Sequence, residues 1–431
     1  MKKSVGVITL GCDKNRVDTE HMLYRLRLGG YDITNNYEEA QVLIVNTCAF
    51  IEAARKEAID VILAAAQYKK AACEKLIVTG CLPQMCETEL QEGLPEVDRF
   101  LGVNDYDGIC EAIASLYGEQ AVVAPSSDSL QRIVTTPPHY AYLKIADGCD
   151  NRCTYCTIPS IRGAYRSYPV EILAAEATEL AEQGVKELIL VAQDVTQYGK
   201  DLYGAPALVR LLRALCETPI HTLRLLYCYP EFVSDELIEE VATNPKIAKY
   251  MDIPIQHADD AVLKRMNRRS TNAQIRTLFT KLREKGIAVR TTVMVGFPQE
   301  TEENFRTLYT FLEEFAPEHV GVFAFSKEEG TPAARLKGQV PRKIKLHRRD
   351  LIGELHLRNR TAYNATLVGK TLRVLYEDID YDRNMFVGRS EYDAPDIDTK
   401  VYFTADFVEA GEYYPVKITG YDGYDLIGEK V

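Results

Sequence analysis

Three cysteines stand at C-x3-C-x2-C spacing in Cys149-Asp150-Asn151-Arg152-Cys153-Thr154-Tyr155-Cys156, directly after an apolar run at 140–146. Cysteine thiolates are the usual ligands of iron–sulfur clusters. Three thiolates on a four-iron cube leave one iron open, and an open iron binds a small molecule rather than only passing electrons. The competing readings are a structural zinc site and three unrelated buried thiols. A zinc site usually takes a fourth ligand from a second C-x2-C or H-x3-5-H pair, and no such pair follows.

The N-terminal third repeats one local pattern three times. The apolar runs at 5–10, 42–46 and 76–79 lead into Gly11-Cys12, Thr47-Cys48 and Gly80-Cys81. Helix-like stretches at 17–28 and 51–68 lie between them. Strand–helix alternation of this kind implies a parallel sheet, whose ligands bind off the carboxyl ends of its strands. Cys12, Cys48 and Cys81 each sit just past such an end, so they are expected to meet in space. Three convergent thiols again suit a cluster with one open iron; the other reading is three buried cysteines, a common role for this residue. Cys86 lies inside the segment after Cys81 and ranks below it as a ligand. Cys73, Cys110, Cys216 and Cys228 are read as structural.

These residues carry a family resemblance. The C-x3-C-x2-C stretch resembles that of the radical S-adenosylmethionine (SAM) enzymes, whose open iron holds the amino and carboxylate groups of SAM. An electron from the cluster then releases a 5′-deoxyadenosyl radical. An N-terminal domain with Cys12, Cys48 and Cys81 ahead of this motif resembles the methylthiotransferases. The resemblance covers essentially the whole chain and implies two 4Fe–4S clusters, the one at Cys12, Cys48 and Cys81 carrying the sulfur to be inserted. Gly11-Cys-Asp-Lys-Asn-Arg-Val-Asp-Thr-Glu20 looks like the branch that modifies a ribosomal protein, although Asp13 and Arg16 depart from its commonest form.

Size and composition set limits on the rest. The chain has 431 residues, 46% of them hydrophobic, enough for two or three domains. No apolar run approaches the ~18 residues that span a bilayer, and the N-terminus shows no signal-peptide pattern. The expected location is the cytoplasm, with no membrane association. There the eleven cysteines serve as metal ligands and free thiols, not disulfides. A net charge of −12 argues against a surface that is wholly a nucleic-acid footprint.

The expected fold class is α/β. It comprises an N-terminal parallel α/β domain at 1–123, a linker at 124–138, a partial (β/α)6 barrel at 139–340, a linking helix at 341–364 and a small antiparallel β-barrel at 365–431. The linker is rich in Pro, Ser and Thr. Six strand-like runs follow, at 140–146, 187–192, 223–227, 250–255, 288–295 and 319–325, and barrel chemistry belongs at their carboxyl ends. Gln193 and Asp194 follow the second run, where many radical-SAM proteins have a Gly-Gly-Glu for the amino group of SAM. That triplet is absent, and the resemblance carries the role to Gln193 and Asp194. Tyr155 resembles the aromatic near the adenine. Gly296 either allows close backbone approach to the cofactor or is an ordinary turn glycine. His257 is read as structural. No catalytic residue is assigned beyond the cluster ligands.

The segment 341–364 carries seven cations against two acids, a net of +5, and reads as a linking helix with an apolar side of Leu346, Leu351, Leu355 and Leu357, its charge either a solvated face, the favoured reading, or a contact to ribosomal RNA. From 365 onward short strands alternate with turns, at 371–376, 385–389, 401–403 and 414–418. This tail resembles the TRAM domain, an OB-like barrel. It holds seven cations against fourteen acids, a net of −7. An acidic barrel repels RNA and attracts a basic partner.

The resemblance therefore implies a methylthiotransferase, and nothing in the sequence calls for more than a monomer. Its expected substrate is an aspartate β-carbon in the twelfth protein of the small ribosomal subunit, a basic protein. SAM would serve as methyl donor and as radical source, with flavodoxin or ferredoxin as electron donor; the sulfur donor is not identified. The alternatives are a methylthiotransferase for adenosine in transfer RNA and an iron–sulfur electron carrier or sensor.

Overall fold

The computed structural model of the protein describes residues 3–103, 105–121 and 131–431, so 124–130 of the expected linker lie outside the described residues. The first sheet is parallel throughout. Its spatial order is Asp32–Ile33, Ser4–Thr9, Val42–Thr47, Lys75–Gly80 and Arg99–Leu101. The central strand Val42–Thr47 is buried at every position. Its side chains alternate between two layers. Leu43 and Val45 join Ala58 and Ile62 on one side, while Val42 and Ile44 join Met22, Leu26 and Ile113 on the other. Each such side chain contributes roughly 1.5–3 kcal/mol through burial. The short edge strands Asp32–Ile33 and Arg99–Leu101 are too brief to register as apolar runs in the sequence.

The helix Asp13–Leu28 is unusual in what it buries. Lys14, Asn15, Asp18, Thr19, Glu20 and His21 are all buried alongside Val17, Met22 and Leu26. One side packs on its own sheet. The other meets the second domain through polar groups, which explains why the stretch lacks a clean amphipathic stripe.

The second sheet holds Tyr140–Lys144, Glu187–Val191, Thr222–Leu225, Ile247–Asp252, Ala288–Val295 and His319–Ala324 in sequential order, all parallel. It is an open six-stranded barrel with its helices outside. The concave face carries Tyr140, Tyr142, Ile189, Val191 and Tyr250. It is packed by Val17 from the first domain and Ala394 from the tail.

The helix Arg342–Leu367 runs along the last strand and into the tail. Its buried stripe is Arg348, Ile352, Leu355, Arg360, Asn364 and Leu367, so Leu357, 41% exposed, is not part of it. Two of its cations are not solvated either. Arg348 pairs with Glu300 at 2.7 Å, and Arg360 bonds Thr399 at 2.6 Å. The tail closes into a five-stranded barrel in the order Thr371–Asp380, Met385–Ser390, Val401–Thr404, Asp425–Lys430, Tyr413–Asp422. The expected small antiparallel barrel is present, with one strand beyond the four expected and one parallel pairing among antiparallel ones. Asp425–Lys430 is a fifth strand, and it pairs parallel with Val401–Thr404. That pairing lets the sheet close without an edge.

The barrel is fastened to the core by buried charge. Glu187 lies between Arg224, at 2.7 Å, and Arg389 of the tail. Burial alone would raise the Glu187 carboxyl, but the two guanidinium groups outweigh it and hold it at about 2. Asp398 accepts from Tyr250 at 2.7 Å and faces Arg290 at 3.3 Å.

Candidate active site

Asn15 ties together the three cysteine-bearing strand ends of the first domain. Its amide nitrogen donates to the carbonyl oxygens of Leu10, at 3.1 Å, and Thr47, at 2.9 Å. Its amide oxygen lies 3.8 Å from Cys81 Sγ. Leu10 precedes Gly11-Cys12, and Thr47 precedes Cys48. Gly11 has φ +93°, and a Cβ there would sit 2.7 Å from the Cys48 Cβ and 3.3 Å from its Sγ. The glycine thus lets the Cys12 turn close on Cys48. Burial pushes the Cys81 thiol up to about 12, with Cys12 and Cys48 adding to the rise. The three thiols therefore share one electrostatic neighbourhood, as the strand-end positions require.

Cys149, Cys153 and Cys156 converge in the same way. Cys149 and Cys153 are buried. Burial pushes the Cys149 thiol up to about 11 and that of Cys156 to about 12, the neighbouring thiols adding to both. Cys153 Sγ lies 3.1 Å from the Tyr229 hydroxyl, and the Ile158 amide donates to Cys156 Sγ at 3.4 Å. Among the described residues no three His, Cys, Asp or Glu side chains group as ligands of a single ion. Both donor sets fit a cube that takes one thiolate per iron. They are soft thiols, buried at Cys81, Cys149 and Cys153, half-buried at Cys48 and Cys156 and exposed at Cys12, whose protons an iron cation replaces.

The loop around the second triad is held from several sides. Asn151 donates to Asp194 Oδ2 at 2.8 Å. The Asn267 amide donates to the Asn151 and Arg152 carbonyls at 3.3 and 2.9 Å. Thr154 N donates to Met266 O at 3.1 Å. Asp194 is fully buried, and its other oxygen caps the turn Val195–Gln197 through Thr196. Gln193 Nε2 donates to Asp147 at 3.2 Å, leaving its buried amide oxygen without a partner among the described residues. Tyr155 packs against Met266, Phe297 and Phe325.

Gly296 precedes Phe297 in a tight turn. Its φ is +74°, its amide donates to Glu300 at 2.8 Å, and a Cβ there would lie 2.2 Å from Lys345 Cγ. The close approach is to the helix Arg342–Leu367. His257 is buried and accepts from the Asp259 amide at 2.9 Å. Cys86 sits at a kink in the helix Cys81–Gly93 with its Sγ 3.4 Å from Leu82 O.

A buried polar cluster absent from the sequence reading joins the two triads. Arg162, six residues past Cys156, reaches Asp147 at 3.0 Å and Asp18 at 3.2 Å. Lys144 also pairs with Asp18, and with Asp147 at 3.1 Å. Burial would raise the Asp147 carboxyl, yet Lys144 and Arg162 hold it well below the usual range. The one sequence signal was Asn15, Asp18 and Thr19 recurring at helical spacing behind Cys12.

Family models match three segments: the Radical SAM superfamily at 143–312, Uncharacterized protein family UPF0004 at 4–102, and the TRAM domain at 368–431. Among curated relatives, the ribosomal protein uS12 methylthiotransferase RimO of Acetivibrio thermocellus is 47% identical, covering 100% of this chain and 99% of its own. The chain belongs to the ribosomal protein uS12 methylthiotransferase family. The proteins of the same name from Geobacter sulfurreducens and Clostridium tetani are each 46% identical, covering 99% of this chain and 98% of their own. Solved structures agree on the fold. The radical SAM methyltransferase TsrM of Kitasatospora setae matches with TM-score 0.57 at 16% identity over 75% of each chain. The radical enzyme OxsB matches with TM-score 0.53 at 13% identity, over 82% of this chain and 56% of its own. As a member of the methylthiotransferase family with a radical-SAM core, the chain is an enzyme, and that core implies a 4Fe–4S cluster and SAM. Among the described residues no helix is long and apolar enough to cross a membrane.

Proposed function

We infer that this chain installs a methylthio group on the β-carbon of an aspartate in ribosomal protein uS12. The observation that carries the reading is the pair of cysteine triads, one on each domain, joined by a single buried polar cluster in a chain 47% identical to a uS12 methylthiotransferase. Cys149, Cys153 and Cys156 would hold one 4Fe–4S cluster, and Cys12, Cys48 and Cys81 a second. When bound, the first with SAM supplies the 5′-deoxyadenosyl radical, and the second, with a methyl group from another SAM, supplies the methylthio group.

The protein's own part is positional. Asn151, Asp194, Asn267 and Thr154 fix the second triad's loop. Tyr155 provides an aromatic wall and Gln193 an unpartnered buried amide oxygen for the SAM ammonium. Gly296, in the turn before Phe297 that Glu300 holds, would let the backbone approach the cofactor. The target hydrogen is on an unactivated carbon, too weakly acidic for base catalysis, which is why a radical is required.

Substrate docking falls to the exposed part of the acidic barrel. Glu377, Asp393, Asp398 and Glu412 are spent on His139, His319, Arg290 and Lys186 of the core. Asp378, Asp382, Asp406 and Glu409 remain exposed to meet a basic partner. We place the reaction in the cytoplasm, on a monomer reduced by flavodoxin or ferredoxin. The working parts are 1–123, 139–340 and 365–431, joined through 124–138 and 341–364.

The test offers uS12 and transfer RNA together to anaerobically reconstituted protein with SAM and reductant. A methylthio addition on uS12 supports the reading. An addition on adenosine would move the activity to RNA, and clusters that cycle without 5′-deoxyadenosine would make the chain an electron carrier or sensor.

A further inference from the structure

We propose that Arg162 is a positioning residue that sets the reduction potential of the group held at Cys12, Cys48 and Cys81 from the other domain. This rests on the second cluster proposed above. Arg162 is 3% exposed and its fork is fully engaged. Nη1 donates to Asp147 at 3.0 and 3.1 Å and to Asp18 at 3.2 Å. Nη2 donates to Asp18 at 3.2 Å, to the Asn15 amide oxygen, and to Cys81 Sγ at 3.8 Å. The side chain originates in the helix Ile158–Arg162, which follows Cys156. One guanidinium group therefore connects the loop of the second triad to a sulfur of the first.

The charges explain the consequence. Arg162 and Lys144 balance Asp18 and Asp147, so the buried quartet is neutral, with its cationic end turned to the Cys81 sulfur. Hydrogen bonds to cluster sulfurs and local net charge both set cluster potential. Reduction adds negative charge, which a neighbouring cation stabilises. Arg162 thus raises the potential of the cluster it touches, while its two carboxylate partners keep the fork aimed. Removing Arg162 leaves a net negative quartet beside the sulfur; removing the Asp18 charge leaves a net positive one. The two changes break the same interdomain contact but push the potential in opposite directions.

The experiment uses the full chain with Cys149, Cys153 and Cys156 changed to alanine, so that only the N-terminal site binds iron. Iron content and the midpoint potential are read by chemical analysis and by electron paramagnetic resonance during a redox titration. Arg162→Gln is expected to lower the midpoint, Asp18→Asn to raise it, and Arg162→Lys to restore most of the parent value. Shifts of the same sign in Arg162→Gln and Asp18→Asn, or no shift in either, would overturn the proposal and leave Arg162 a structural tie. If Arg162→Gln binds no iron, the Asp18→Asn arm decides: a rise supports the proposal, and a fall or no change overturns it. A parent that binds no iron would instead overturn the second cluster, and this inference with it.

Discussion

The Tyr227 hydroxyl donates to the Asp13 carboxylate at 3.3 Å across 214 residues of chain. Asp13 follows Cys12, and Tyr227 stands past the core strand Thr222–Leu225 with φ +60°. Lys14 Nζ lies 3.3 Å from the Tyr227 ring centroid, a cation over an aromatic face. Thr157 of the second triad's loop donates to Phe50 O, two residues past Cys48, at 3.5 Å. The carboxyl ends of both parallel sheets are thus turned toward one shared space.

The two triads are expected to fail separately. Changing Cys149, Cys153 or Cys156 to alanine removes 5′-deoxyadenosine formation and about half the bound iron. Changing Cys12, Cys48 or Cys81 removes the other half and the methylthio product but spares SAM cleavage. Iron analysis with chromatography of the nucleoside checks both. Loss of all iron from any single change would mean that the sites are not independent.

Gly11→Ala should act like loss of the first triad. The new methyl would lie 2.7 Å from the Cys48 Cβ on a backbone at φ +93°, a strain on the order of 1–3 kcal/mol. The iron of that site falls while 5′-deoxyadenosine formation persists. A Gly11→Ala protein with full iron would show that Cys12 and Cys48 need not approach this closely.

Acid should weaken the metal-free protein through His257. Burial holds its imidazole down at about 3, against the ordinary 6.5. Below 6.5 the unfolded chain takes a proton that the folded chain refuses. The stability His257 contributes is therefore complete above 6.5 and is lost as pH falls toward 3, at about 1.4 kcal/mol per pH unit. Denaturant titrations below pH 6.5 should give His257→Gln a slope shallower by that amount. Equal slopes would place the acid sensitivity elsewhere.

Reversing exposed barrel charge should weaken substrate capture rather than chemistry. Asp378→Lys with Asp382→Lys is expected to raise KM for uS12 on the order of tenfold, with kcat little changed and salt dependence reduced. An unchanged KM would move docking off the barrel.

The sequence made the cysteines readable because parallel sheets place ligands at strand ends, and Cys12, Cys48, Cys81 and Cys149 all follow apolar runs. It made the six-strand order readable for the same reason. Arg162 was not readable, because its partners Asp18 and Asn15 stand about 145 positions away and no local pattern links them. The tail's net charge was legible, but not its spending: Asp398 and Glu377 look like surface acids until Arg290 and His139 are brought to them. Gly296 showed a similar limit, since the need for glycine was visible and the neighbour, Lys345, was not.

The most direct measurement supplies SAM with a deuterated methyl group, reductant and uS12 to the reconstituted protein, and follows uS12 peptides by mass spectrometry. A labelled methylthio group is expected on one aspartate, with 5′-deoxyadenosine formed in the same tube. 5′-Deoxyadenosine without the label on uS12, from protein with both triads filled, would contradict methylthio transfer to uS12.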